Sequence, residues 1–290
     1  MPSMLTHKLF AEEAAEKLSF GMTEREKRAR LWGAQGPDVL FFHRHMPLHK
    51  RGESISEWGH KMHTMPDPAP VIAQLQRCEQ EKLGGEVGQA WRQGFLCHYL
   101  LDRTCHPFVL AWSKKRNERD PQQPVCYWHQ EIEANLDTMM LRRERGLLPQ
   151  EVSLRRVLPP LEGDASIIAA HLKKIIFAAF SVEVPLSLIL QAMNDAVQGV
   201  RLSNDRTGLK HHFFRRMERR KVWRISSRLL PMTEDPDADF ANLEHEEWGA
   251  QGENEDFFAL YDRALEESGH FFRLYASKDA QQVTTGLPFC

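Results

Sequence analysis

Paired cysteines are missing from this 290-residue sequence: Cys78, Cys97, Cys105, Cys126 and Cys290 form no C-x-x-C pair. An odd number of irregularly spaced thiols gives no disulfide framework and points to reduced cysteines. A thiolate metal site, for which Cys97, Cys105 and Cys126 stand near His98, His106 and His129, is the lesser alternative, because structural zinc draws on paired cysteines at short spacing. Long apolar runs are also lacking, and none approaches the roughly 20 residues of a spanning helix. The first residues, MPSMLTHKLF, hold no basic stretch followed by an apolar core, so no secretory signal is visible. A soluble, cytoplasmic protein without stable membrane insertion is expected. Nor is there an excess of one charge: 38 Lys and Arg against 40 Asp and Glu argue against a nucleic-acid binder held by its overall field. Alternating strand patterns bounded by Asn-Gly or Asp-Gly are absent as well.

Several catalytic signatures are missing too. Without H-E-x-x-H the zinc-protease arrangement is excluded, and without G-x-x-x-x-G-K-[ST] or G-x-G-x-x-G so are the common nucleotide-phosphate loops. No G-x-S-x-G elbow exists for a serine hydrolase. No histidine is followed directly by aspartate, which disfavours the other common helical metal-phosphohydrolase class.

What remains is helical. Thr6 is a candidate cap for a helix through AEEAAEKLSF, with Gly21 as its stop. PDPAP at 66–70 precedes a helix over VIAQLQRCEQEKL. The next spans Val87 to Cys105 and is expected to end at HPF, because Pro107 cannot continue the ladder. SKKRNERDPQQP at 113–124 reads as a loop before YWHQEIEANLDTMMLRRERG, which stops near Gly146. ASIIAAHLKKIIFAAF, PLSLILQAMNDAVQGV and FFALYDRALEESGHFFRLY repeat apolar residues at i, i+3, i+4 and i+7. One all-α, multi-helix domain over 1–290 is expected, with MTEDPDAD at 232–239 as its weak point and 276–290 as a frayed tail. The shared W-G-A-Q-G-x-x-x-x-F-F of 32–42 and 248–258 has unmatched flanks and is too short for a structural repeat.

The chemistry concentrates in GFLCHYLLDRTCHPF, residues 94–108. His98, Asp102 and His106 are spaced four apart, and at about 100° per residue they stay within roughly 80° of one another on one helix face. The next helix carries a second i, i+4 pair, His129 and Glu133. Two helices that each project an imidazole and a carboxylate inward supply the nitrogen and oxygen ligands zinc prefers, and Asp102 has two oxygens with which to bridge a pair of ions. An exposed His/Glu pair would be an ordinary contact of a few tenths of a kcal/mol. Here Leu96, Leu100, Leu101, Phe108, Trp112, Trp128, Ile132 and Leu136 surround the polar groups, and burying an unpartnered carboxylate costs several kcal/mol. A metal centre between core helices follows. Asp137 is a candidate to orient His129 or a bound water, with a surface carboxylate as the plain alternative. Phe41-Phe42-His43-Arg44-His45 is a candidate cleft lining or, equally, core. The basic, aromatic segment KHHFFRRMERRKVWRISSR at 210–228 suits phosphate groups or an anionic surface, but a solvated face balancing acidic segments is the preferred reading.

THKLF, GAQGPDVLFF, GHKMH, GFLCHYLLDRTCHPF and HQEIEANLD, in that order, resemble the bacterial zinc-dependent phospholipase C family, whose fold is shared with single-strand-specific zinc nucleases. The resemblance implies a cluster of two or three zinc ions. By it His98, Asp102, Asp38 and His63 hold one ion, with Asp102 also bridging, while His106, His129 and Glu133 hold the second and His7 helps to hold the third. His63 is preferred to His60 because Met-Pro-Asp-Pro follows it closely, as in the family. The resemblance further implies hydrolysis of a phosphodiester or phospholipid by a metal-activated water, with Asp38 as the residue that orients or deprotonates it. Nucleic acid enters only as a possible substrate. Two departures stand out. Secreted relatives use a processed N-terminal tryptophan where this chain has MPSML and then His7, and they place two more residues between the bridging aspartate and the next histidine. No strand-rich tail follows either. The rival readings are a zinc nuclease or nucleotidase on the same residues and a non-catalytic protein tied by structural zinc; a structural site is closed by four protein ligands, whereas a catalytic one keeps a position open.

Overall fold

The computed structural model describes residues 4–44, 54–218, 226–231, 238–277 and 279–289, and among these there is helix but no strand. The helices are α1 (Met4–Lys17), α2 (Glu24–Gly33), α3 (Ser56–His63), α4 (Ala69–Gln80), α5 (Gly85–Arg119), α6 (Val125–Arg145), α7 (Ala165–Phe180), α8 (Leu186–Ser203), α9 (Leu209–Met217), α10 (Phe257–Ala276) and α11 (Ala280–Thr284). The all-α class expected from the sequence is the one observed. One cluster of buried apolar side chains runs from Met4 to Phe289 through these helices except α9, which buries none. His45, Cys290, residues 219–225 of the basic segment and residues 232–237 of the expected weak loop lie outside the described residues.

The axis of the molecule is α5, and its 35 residues reach about 50 Å at 1.5 Å each. Its middle, Gly94 to Asp102, is buried on every side, which is why that stretch is apolar all round rather than striped. Close approach to α2 depends on two glycines. A Cβ on Gly94 would stand 2.1 Å from the Arg30 carbonyl oxygen, and one on Gly33 would stand 2.0 Å from that of Trp91. The entry to α2 is fixed by a capping box in which Thr23 and Glu26 satisfy each other's backbone N–H groups.

Three local expectations are corrected. α5 does not end at HPF but runs through Pro107 to Arg119, so 113–119 is helix and the loop shrinks to 120–124. Pro107 stands on the exposed side of α5, where the carbonyl that it leaves unpaired can turn to water while the packed opposite side keeps the helix continuous. Thr6 is not a cap either, since α1 begins two residues earlier at Met4. The tail is not frayed over 279–289: Asp279 caps α11 with its side chain, and Val283 and Phe289 are fully buried. Gly146 does end α6, in the left-handed region with its N–H on the Arg142 carbonyl. The two W-G-A-Q-G copies sit in unlike surroundings, the first at the end of α2 and the second in turns before α10.

Below the polar stretch of α5, buried Arg92 donates to His171 Nε2 on α7 at 2.9 Å and to the Leu83 carbonyl at 3.0 Å. His171 Nδ1 in turn faces the Ile167 carbonyl at 2.8 Å. With one ring nitrogen donating and the other accepting, His171 is neutral, and burial together with Arg92 pushes its pKa down from 6.5 to about 4. The unfolded chain therefore takes up a proton that the fold refuses, and stability is lost as pH falls from 6.5 towards 4. In His171→Gln, whose amide still accepts from Arg92 but cannot be protonated, that acid-induced loss should shrink by on the order of 2 kcal/mol. Urea unfolding of the chelated protein at neutral and mildly acidic pH measures it, and equal losses in both proteins would show that His171 contributes nothing to acid sensitivity.

Candidate metal centre

Three groups of side chains bring potential ligand atoms within 4.8 Å of one another: His7, His98 and Asp102; Asp38, His63 and His98; and His106, His129 and Glu133. All eight residues expected from the sequence are thus placed, and they converge on the part of α5 that carries His98, Asp102 and His106. His7 comes from the first turns of α1, Asp38 from the 3-10 turn Gly36–Phe42, His63 from the end of α3, and His129 with Glu133 from one face of α6. His60 is exposed, its ring 4.5 Å from that of Phe41, and joins none of these groups. Among the described residues no cysteine joins them either. Burial pushes the Cys97 thiol up to about 11.

Asp102 is the centre of the first assembly. Its Oδ1 lies 3.2 Å from His7 Nε2, and its Oδ2 lies 3.2 Å from His98 Nε2 and 3.5 Å from His63 Nε2. Asp38 Oδ1 lies 3.0 Å from His63 Nε2. Burial works to raise the Asp102 pKa, yet the imidazoles of His98, His7 and His63 outweigh it and hold the carboxyl well below the usual range. Burial likewise opposes charge on His63, and Asp38 with Asp102 overrides it upwards. For His98 burial prevails and keeps the ring neutral.

Backbone carbonyls set the imidazole tautomers. His98 Nδ1 meets the Ala34 carbonyl at 3.2 Å, and His63 Nδ1 meets that of Gly59 at 2.8 Å, so in the neutral ring Nδ1 carries the proton and Nε2 presents a lone pair to the carboxylates. The loop that supplies Ala34 must pass close to the ring. Gly36 takes a φ of +50°, and a Cβ there would stand 2.4 Å from His98 Cδ2, which gives a physical reason for glycine in that copy of the motif.

The second assembly is more open. Glu133 Oε1 lies 3.0 Å from His129 Nε2 and 3.7 Å from His106 Nε2, with side chains 22% exposed for His129, 13% for His106 and 2% for Glu133. The two Nε2 atoms face each other at 3.3 Å. Burial would raise the Glu133 pKa, but His129 and His106 depress it far below its ordinary value.

Whether a metal suits these residues is decided by the polar atoms left over. His98 Nε2, both carboxylate oxygens of Asp38 and Glu133 Oε2 are buried without a hydrogen bond of acceptable geometry, even where an ion-pair distance is short. At His98 and Asp102 a ring nitrogen and a carboxylate oxygen face each other at 3.2 Å with no hydrogen bond made by that nitrogen, an arrangement that a cation between them would satisfy. Nitrogen and oxygen donors in this number fit zinc.

A sequence profile described as zinc dependent phospholipase C matches residues 6–173. The chain belongs to the zinc-dependent phospholipase C family. That match carries a phospholipase C-like function in general terms and a dependence on zinc, and it spans α1 to most of α7, with every candidate ligand inside it. No curated protein and no solved structure matches the chain. Among the described residues no helix is long and apolar enough to cross a membrane.

Two features of the site had no local signal in the sequence. Asp137, expected to orient His129 or a water, faces α1 instead: it accepts from the Thr6 N–H and hydroxyl, both at 2.7 Å, and from the Leu5 N–H at 3.2 Å. Burial pushes its pKa up to about 6 against these donors, so at neutral pH it is a carboxylate seated on the positive end of α1, and it fixes His7 one residue on. Asp137→Ala should therefore lower stability by about 2–3 kcal/mol, the range for hydrogen bonds to a charged group whose donors are left buried. It should also lower the zinc content by loosening His7. Denaturant unfolding and metal analysis check both, and an unchanged zinc content would detach His7 from this tether.

The other unsignalled residue is Phe289, whose ring lies 4.9 Å from that of Tyr99, 5.9 Å from His63 and 6.2 Å from His98. It packs against both imidazoles. Phe41 stands 5.3 Å from His63, while Phe42 is core, packed under Gly199.

Proposed function

We propose that this chain hydrolyses a phosphodiester bond of a phospholipid, in the manner of a phospholipase C, with two or three zinc ions held by His7, Asp38, His63, His98, Asp102, His106, His129 and Glu133, and that residues 1–290 act as one domain. The observation that supports it best is His98 Nε2, buried without a hydrogen bond 3.2 Å from the Asp102 carboxylate, with the buried Asp38 carboxylate in the adjoining ligand group. Bound zinc supplies a water of pKa near 7 and positive charge against phosphoryl oxygens. The chain's own part is geometric and protic. Asp102 presents one oxygen to His7 and the other to His63 and His98, a disposition suited to bridging. Carbonyls of Ala34 and Gly59 hold the two rings in the ligating tautomer. Asp38, whose Oδ1 lies 3.0 Å from His63 Nε2 and whose Oδ2 is buried without a hydrogen bond, is the carboxylate we assign to orient the attacking water and accept its proton. Phe289, Phe95 and Tyr99 exclude solvent behind the rings. The exposure of His106 and His129 leaves the α6 side as the approach for substrate.

Phosphatidylcholine emulsions, single-stranded oligonucleotides and a chromogenic phosphodiester should be assayed with protein purified without chelators, then after chelation and zinc return. Release of a phosphorylated head group that chelation abolishes and zinc restores is expected. Hydrolysis of the oligonucleotide alone would favour a nuclease, and tightly held zinc with no hydrolysis would favour a structural role.

A further inference from the structure

The basic segment that the hydrolase reading leaves unused carries the longest exposed apolar stripe on the described surface. In α9 the side chains of Leu209, Phe213 and Met217 recur at i, i+4 and i+8 and are 70, 56 and 58% exposed. Such a spacing places them on one line along the helix, within about 80° of arc. Exposed Lys210, His212 and Arg216 flank the stripe. The opposite side of α9 holds it to the protein: Arg215 pairs with Glu131 of α6 at 3.3 Å, and the His211 N–H donates to Asp205 at 2.8 Å.

We propose that α9 docks this protein on the surface of a bilayer rich in anionic lipid, with Leu209, Phe213 and Met217 entering the interface and the flanking cations meeting lipid phosphates. Charge complementarity selects this occupant. A second copy of the chain would meet its own cations across a two-fold contact, and a nucleic acid has no use for a line of aliphatic and aromatic side chains turned outward from the body. A short helix with an apolar face bordered by Lys and Arg is the form that lies in the headgroup region. Its anchor, Glu131, is on α6, the helix that also carries His129 and Glu133. This goes beyond the hydrolase reading, and binding is measurable without turnover.

The test is sedimentation of the full chain with phosphatidylcholine vesicles and with vesicles holding about a third phosphatidylserine, in zinc and again in chelator. Two variants are compared with the parent: Leu209→Ser with Phe213→Ser and Met217→Ser, and Lys210→Gln with Arg216→Gln. The parent should bind the anionic vesicles, release in high salt, and ignore neutral ones. The serine variant should bind at least about tenfold more weakly, and the glutamine variant about fivefold more weakly for each cation removed. Both should keep the parent's hydrolysis of a soluble phosphodiester, because all five side chains are exposed, and the serine variant should keep its melting temperature, whereas the glutamine variant also gives up the Lys210 bonds to the Leu202 and Asn204 carbonyls. Equal binding by parent and serine variant, equal binding to neutral vesicles, or a parent dimer that the serine changes dissociate would each overturn the proposal. Binding that persists without any phospholipid hydrolysis would retain the docking surface and defeat only the substrate reading.

Discussion

Asp102→Asn should empty the centre and abolish hydrolysis together. Asparagine keeps the shape of the side chain but withdraws the negative charge around which three imidazoles are arranged at 3.2, 3.2 and 3.5 Å, and its amide nitrogen turns a donor towards one of them. Removing one member of a buried charged assembly costs about 3–5 kcal/mol, which at roughly 1.4 kcal/mol per decade corresponds to a loss of two to four orders of magnitude in metal affinity. Hydrolysis should fall at least as far, because Asp102 is shared between two of the ligand groups in space: it belongs to one and touches His63 of the other. Mass spectrometry of protein purified without chelators, alongside phosphodiester turnover and far-ultraviolet dichroism, separates this outcome from unfolding. A folded Asp102→Asn protein that keeps both zinc and activity would defeat the metal reading at its centre. His60→Ala is the matching control, since His60 is exposed beside Phe41, and it should leave metal content unchanged.

The part of this site that the sequence made legible is the part set by helical periodicity. His98, Asp102 and His106 share a face of α5, and His129 and Glu133 share one of α6, because four residues return a side chain to nearly the same azimuth whatever lies around it. Asp38 and His63 were reached only through the family resemblance, since no periodicity ties a 3-10 turn and the end of α3 to α5. The misreadings have one physical origin. Pro107 was expected to end a helix on local grounds, yet α5 is gripped along its length by α2, α6 and α10, and tertiary packing overrides the loss of one hydrogen bond. Thr6 was read as a cap for its own helix, whereas its partner is Asp137, 131 residues away. No window of sequence contains both.

The tail shows the same principle with a larger effect. Residues after Ala276 hold little periodicity, and nothing local announces that Phe289 of TTGLPF lies in the core. In the fold, Tyr99 donates to the Leu287 carbonyl at 2.7 Å and Arg103 to that of Val283 at 3.0 Å, so polar groups of α5 hold the tail in place just before the ring of Phe289. That ring is fully buried among Phe95, Tyr99, His63 and His98. Truncating a buried phenylalanine to alanine costs about 3–5 kcal/mol, through lost transfer energy and the cavity left behind. For a chain of this size Phe289→Ala should lower the melting temperature by roughly 6–15 °C. The cavity would border two imidazoles, so zinc should also leave the variant at a lower chelator concentration than it leaves the parent, and Phe289→Leu should recover part of both losses by refilling the space. Phe177→Ala, at a ring 49% exposed, should move neither quantity by more than a small fraction. If Phe289→Ala melts with the parent, the aromatic wall behind His63 and His98 is not held by the tail, and the rings must owe their positions to the Ala34 and Gly59 carbonyls alone.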